Sequence, residues 1–301
     1  MDWRTTARRT ILDGRRARDG AWGRDPSGSP RVEPTALALL ALTRDDDSPA
    51  ARSIAVQACD WMAGLQNPRG GLPLSAGLEE SSWPTSFAIL SWNVLDIHPE
   101  ARVLARGWLL DSGSDEPSSA GEDPGGWPWV QGTFTWIEPT ALALIALALE
   151  GEERHPRCLE AVAMIHERAL NGGGWNAGNK AVFGRELRPQ PTSTALALVA
   201  LAVRGERSIV TSRAVDYLSD ALKTIRSAAS LGWGLIALRA WDAYPTEADV
   251  WLAQAHELCQ ERDQSPASLA LLLLAASEAG TRLFLPTNSK SPPHEPIRDR
   301  R

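Results

Sequence analysis

Two glutamates stand in matching surroundings, Val32-Glu33-Pro34-Thr35-Ala36 and Ile137-Glu138-Pro139-Thr140-Ala141. A pair of carboxyls sharing one cleft can do proton chemistry, provided that one of them keeps its proton near neutral pH. Both lie where a helix begins, and there the helix dipole favours the ionised form. Burial or a second carboxylate must therefore oppose the dipole if either is to act as an acid. The loop directly before Glu138 carries Trp127, Trp129, Phe134 and Trp136, whose π-faces could cover an apolar or cationic ligand. Phe87 and Trp92 add aromatic surface on another apolar stretch. Lys180, Arg185 and Arg188 gather on one polar loop and could contact an anion such as a diphosphate. Plainer readings stand beside these: helix-start chemistry for the glutamates, packing for the aromatics and a solvated loop for the cations.

Metal chemistry finds less support. Cys158 lies near His155 and His166, and Cys259 near His256, but zinc needs three protein ligands converging on one point. Both Cys–His groups fall on amphipathic helices away from the long loops, so no metal and no cofactor are expected. The acidic triplet Asp45-Asp46-Asp47 follows an apolar helix and reads as a cap for the next one.

These residues need elements to position them, and the chain supplies a repeat. Glu33-Pro34-Thr35, Trp83-Pro84-Thr85, Glu138-Pro139-Thr140 and Gln190-Pro191-Thr192 each open an apolar run rich in Ala and Leu. Ala and Leu are strong helix formers, and Pro suits the first helical position. Apolar on every side, such helices belong in the interior. More amphipathic helices alternate with them, so six outer and six inner helices are expected. Inner-to-outer connections are short. Outer-to-inner connections are long (residues 66–83, 111–138 and 171–190), which collects the long loops on the face where the inner helices begin. Such a face is the usual place for a site. The expected fold is all-α, an (α/α)6 toroid of six helical hairpins over residues 1–285, with a disordered tail at 286–301.

The composition fits a globular interior. The chain has 301 residues, 31 Lys+Arg against 37 Asp+Glu and a net charge of −6, a balance that argues against nucleic acid as a partner. The longest apolar run, Ala141 to Leu149, is too short to span a bilayer. No apolar signal segment follows Arg4, Arg8 and Arg9, and an odd number of dispersed cysteines suits a reducing compartment, so a cytoplasmic location is expected.

Thirteen Trp against four Phe and two Tyr is the unusual feature. Several are flanked by glycine, as in Gly20-Ala21-Trp22-Gly23, Gly125-Gly126-Trp127, Gly173-Gly174-Trp175 and Gly232-Trp233-Gly234, while Trp61-Met62-Ala63-Gly64-Leu65-Gln66 closes an outer helix. The pattern resembles the prenyltransferase and squalene cyclase repeat, the QW motif, over nearly the whole chain to about Ala279. Gln66 is its clear Gln, and several other units lack one.

The resemblance implies a single toroid around an apolar cavity, an isoprenoid-like ligand, and repeat Trp and Gln residues that tie helix ends together. Class II terpene cyclases of this superfamily carry an Asp-x-Asp-Asp stretch, often followed by Thr-Ala, whose middle Asp protonates the substrate. Aligning the Thr-Ala pairs places Glu33 and Glu138 at that Asp, with proline at the last one. The Asp-x-Cys zinc pair of protein prenyltransferases and the Asp-Asp-x-x-Asp magnesium motif are both absent. The implied activity is protonation-initiated cyclisation of a polyprenyl substrate, an isomerase- or lyase-type reaction, with Glu138, which the aromatic loop directly precedes, as the acid. Two alternatives stay open: a non-catalytic toroid that binds an isoprenoid or another apolar ligand, and a glycan-processing barrel using Glu33 and Glu138 as a carboxylate pair.

Overall fold

The computed structural model describes residues 2–15, 19–44, 46, 48–112, 125–205, 207–262 and 264–285. The expected tail at 286–301, and Asp45 and Asp47 of the acidic triplet, lie outside the described residues. Asp46 accepts a hydrogen bond from the Ser48 amide, and Ser48 in turn caps the next helix by accepting from Ala51 N.

Helices follow in pairs: α1 (Trp3–Asp13) and α2 (Val32–Thr43), α3 (Pro49–Ala63) and α4 (Pro84–Leu95), α5 (Pro99–Asp111) and α6 (Ile137–Leu149), α7 (Pro156–Glu167) and α8 (Pro191–Ala202), α9 (Ile209–Ala221) and α10 (Ala228–Ala240), α11 (Ala248–Arg262) and α12 (Pro266–Ala275). A short α13 (Glu278–Arg282) comes last. Two small antiparallel hairpins sit in the long loops: β1 (Trp127–Pro128) with β2 (Thr135–Trp136), and β3 (Ala181–Val182) with β4 (Arg185–Glu186).

The even-numbered helices form a closed inner ring. Each packs on the next, from α2 round to α12, and α12 packs back on α2. The odd-numbered helices from α1 to α11 lie outside, so the fold is the all-α toroid of six inner and six outer helices. Inner helices are buried all round; in α6 every residue from Ile137 to Ala148 is buried except Glu138. Each outer helix packs chiefly on the inner helix that precedes it in sequence, α3 on α2 and α9 on α8. The first described helix, α1, packs chiefly on α12.

A recurring hydrogen-bond staple fixes where the inner helices start. The backbone N–H groups of Trp22, Leu72, Trp127 and Trp175 donate to the hydroxyls of Thr35, Thr85, Thr140 and Thr194, at 2.8–3.0 Å. The three indole N–H groups then donate to carbonyls near the end of the preceding outer helix: Ile11, Leu109 and Ile165. In the repeat where leucine replaces tryptophan, the side-chain amide of Gln66 donates instead to the Gly70 and Ala101 carbonyls, tying the end of α3 to α5. Two residues before each staple a glycine has positive φ; at Gly125 (φ 77°) a Cβ would lie 2.9 Å from the Glu160 backbone carbon.

The staple corrects the register read from the prolines. Thr35, Thr140 and Thr194 are each the fourth residue of their helix, so Thr194, and not Thr192, is the fourth repeat's equivalent. Pro34 and Pro139 then occupy the third helical position, still within the turn whose N–H groups lack intrahelical acceptors. Gly232-Trp233-Gly234 lies inside α10, unlike the other glycine-flanked tryptophans of the long loops. Gly232 lets α10 approach α12 closely, since a Cβ there would sit 2.9 Å from the Leu271 Cβ.

Candidate functional site

On the inner helices the second-residue register carries Glu33 in α2, Glu138 in α6 and Thr192 in α8. Trp83, two residues before its staple threonine, holds the same register at the start of α4, between the two glutamate-bearing helices. The loop face therefore presents, in ring order, a carboxyl, an indole, a carboxyl and a hydroxyl. Across the next gap the Thr192 and Ser230 hydroxyls are 3.0 Å apart.

The two carboxyls differ in environment. Glu33 is packed by protein while keeping a path to solvent, and its pKa is pushed up to about 7. Burial is the largest cause; Arg31 opposes it, the negative charge of Glu138 adds to it, and Arg24 opposes it weakly. Glu138 is also raised by burial, but its Oε1 accepts a 2.9 Å hydrogen bond from Ser193 Oγ, which favours the anion. The site thus holds two electrostatically coupled carboxyls, with a proton retained more readily on Glu33.

Aromatic rings stand beside them. Trp83 meets Trp129 edge to face, with centroids 5.1 Å apart at 88°, and meets Phe87 at 5.8 Å and 74°. Phe134 and Trp136 form a second edge-to-face pair at 5.5 Å. Trp136 is the residue before α6 and so adjoins Ile137-Glu138. Arg168 locks this loop, donating from its two NH groups to the Thr135 carbonyl and hydroxyl with its guanidinium 4.6 Å from the Phe134 centroid. Trp83, Trp129, Phe134 and Trp136 are all partly exposed.

The other expected site residues are placed elsewhere or used otherwise. Trp127 is 3 % exposed and spends both its N–H groups on the staple, so its role is packing. Trp92 is fully buried towards the far end of α4, against His98 and within 3.4 Å of the Cys59 carbonyl oxygen. Phe87 is buried and extends the wall only through Trp83. Lys180, Arg185 and Arg188 lie in and around the β3–β4 hairpin, and the cations acting on Glu33 are instead Arg31 and Arg24. Trp83 was not singled out from the sequence; its signal is the Pro-Thr that follows it, as in the glutamate repeats.

Cys59, Cys158 and Cys259 are buried and form no disulfide with one another, and burial pushes Cys59 and Cys158 up to about 12. Among the described residues no three or more His, Cys, Asp or Glu side chains gather as metal ligands, and no helix is long and apolar enough to cross a membrane.

No family model and no curated protein matches the chain. Solved structures do. A protein from Actinoplanes superposes with a TM-score of 0.61 at 16 % identity, over 93 % of this chain and 99 % of that one. A variant of the type II terpene cyclase MstE from Scytonema, in complex with geranylgeranyl dihydroxybenzoate as substrate, gives 0.64 at 12 % identity over 94 % and 97 %. A protein described as a wild-type glycosidase gives 0.61 at 12 % identity over the same shares. At these identities the likeness is one of fold: this chain is built as a toroid like that of a terpene cyclase and that of a glycosidase, with a carboxyl pair flanking an indole where its inner helices begin.

Proposed function

We propose that the protein starts the cyclisation of a polyprenyl chain by proton transfer, with Glu33 as the acid. The observation that carries this reading is Glu33 itself, a carboxyl held up to about 7 and influenced by the charge of Glu138 across the helix that Trp83 immediately precedes. The Glu33 proton goes to one carbon of a substrate double bond; the π pair forms the C–H bond and leaves a cation on the neighbouring carbon. The Trp83 and Trp129 rings and the Glu138 carboxylate stabilise that cation electrostatically. A second double bond closes the ring, and loss of a proton to a carboxylate ends the sequence. The fold shared with a terpene cyclase supports an apolar, isoprenoid-type substrate as the first to try.

The test is incubation of wild type, Glu33→Gln and Glu138→Gln with polyprenyl diphosphates, squalene and epoxysqualene, followed by mass spectrometry of the extract. A cyclic product from wild type, lost with Glu33→Gln, is expected. Retention of a polyprenyl compound by all three proteins without turnover would replace the enzyme with a binding toroid; Trp129→Ala and Trp136→Ala would then weaken retention.

Glycoside processing is the second reading, favoured by the coupling of one proton-bearing and one ionised carboxyl, the pairing that acid–base cleavage of a glycosidic bond uses. Reducing-end release from an oligosaccharide panel, lost in both glutamine variants, would select it.

A further inference from the structure

The fourth long loop contains something that the toroid does not need. From staple donor to staple threonine the separation is 13 residues in three repeats and 19 in the fourth. The additional residues correspond to 181–186, the β3–β4 hairpin. Its base is fixed: Leu187 N donates to the Lys180 carbonyl, the Asn171 side chain and amide hold Glu186, and Asn176 Nδ2 donates to the Arg188 carbonyl. Its tip is held in a tight turn with Phe183 at φ 50° and Gly184 at φ 74°. That backbone is unfavourable for a non-glycine residue, so the bulky Phe183 sits where its own conformation costs stability and packing returns nothing.

Phe183 is completely solvent-exposed, and Val182 beside it is 40 % exposed. Arg185 follows this apolar tip in β4, and Lys180 and Arg188 flank the hairpin's base; the two arginines are exposed and have no carboxylate partner among the described residues, while the half-buried Lys180 donates to Asn171 Oδ1. The hairpin's one carboxylate, Glu186, is engaged by Asn171. Val130, another exposed apolar residue, lies on the neighbouring loop, which joins this one through Ile137 N to the Ala177 carbonyl and through Gly178 against Trp136 and Phe134. Elsewhere on the face Leu78 is exposed between loop residues and is followed by Glu79 and Glu80, so the basic, apolar sector is local.

We propose that the β3–β4 hairpin docks the protein on an anionic lipid surface, Phe183 and Val182 entering the headgroup region while Lys180, Arg185 and Arg188 meet the anionic headgroups. The two signals are of the kind that interfacial attachment combines: an apolar insertion and a polybasic patch, each too weak alone. A chain of net charge −6 is repelled from such a surface overall, so a confined basic sector also fixes its orientation, with the inner-helix starts turned towards the lipid. The inference goes beyond the reaction proposed above and holds whatever the site takes.

Co-sedimentation with vesicles tests it without any substrate. The full chain is mixed at low salt with vesicles of phosphatidylcholine alone, or of phosphatidylcholine and phosphatidylglycerol in equal parts. Binding is expected only with the mixed vesicles and is expected to fall with added salt. Phe183→Ser should weaken it roughly tenfold, from the apolar burial lost. Lys180→Gln, Arg185→Gln and Arg188→Gln together should weaken it about a hundredfold, at close to one kcal/mol per cation near the surface. Phe183, Arg185 and Arg188 are exposed, and the half-buried Lys180 is bonded to the exposed Asn171 side chain, so circular dichroism and melting should match wild type. Wild type staying in the supernatant with both vesicles, or sedimenting equally well in the Phe183→Ser form, overturns the proposal. So does a concentration-dependent dimer that Phe183→Ser abolishes, which would assign the tip to a second copy of the chain.

Discussion

A carboxyl whose pKa rises on folding from 4.5 to about 7 makes the native state bind more protons than the unfolded chain between those values. Stability from Glu33 is therefore fully present below the unfolded pKa, declines as pH rises, and is gone above about 7. The full shift would correspond to about 3 kcal/mol, and partial access of water to the half-buried group reduces this to roughly 2 kcal/mol. Glu33→Gln, which cannot ionise, should accordingly melt several degrees above wild type at pH 8 and close to it at pH 5. Identical pH dependence of the two melting curves would show that Glu33 ionises as easily in the folded protein as in the unfolded one, and would remove the basis for its role as acid. Glu33 and Glu138 were legible in the sequence because both precede Pro-Thr-Ala. Trp83 was not, because it occupies their register with a different chemistry. Trp127 and Trp129 share a loop and an amino-acid type, and only the staple geometry separates the packing indole from the exposed one.

Elements could be read as helices from Ala-Leu content, and the asymmetry of loop lengths gave the face of the site. Register was harder. Four Pro-Thr pairs invite a single alignment, but the hydrogen bonds of Thr194 show that the fourth pair is displaced by two residues. In Gly232-Trp233-Gly234 the glycines serve a helix and not a loop, since glycine admits close approach between helices as readily as it admits a turn. The staple itself makes a prediction. Thr140→Val keeps the shape and removes the acceptor of the buried Trp127 N–H, which should cost about 1–3 kcal/mol in urea denaturation. Replacing residues 181–186 by Asn-Gly, a two-residue hairpin turn, should leave the melting temperature within a few degrees of wild type, because the other repeats close without this insertion. A large loss of stability on that replacement would mean that the hairpin supports the ring.

Ring closure is the one property that no local segment encodes. The sequence reads as six outer-then-inner pairs, yet each outer helix packs mainly on the inner helix before it, which leaves α1 for α12 at the other end of the chain. The join is well made. Ile11 is fully buried, its carbonyl accepts the Trp22 indole N–H at 2.7 Å, Arg8 donates to the Leu42 carbonyl at 2.7 Å, and Gln260 donates to the Thr10 hydroxyl. Closing it fixes α12 against α2 and so completes the ring on which Glu33 stands. Ile11→Ala should destabilise by about 2–5 kcal/mol through lost burial and the cavity left behind. Arg4→Ala, which removes exposed ion pairs to Asp249 and Asp2 and a guanidinium contact with the Trp3 ring, should cost less than about 1 kcal/mol. If closure is cooperative, tryptophan fluorescence and circular dichroism will report one coincident transition for Ile11→Ala, shifted as a whole. An early partial loss of helix with the fluorescence transition unmoved would instead make α1 a separable strap, and the ring of inner helices would then hold without the join between the chain's two ends.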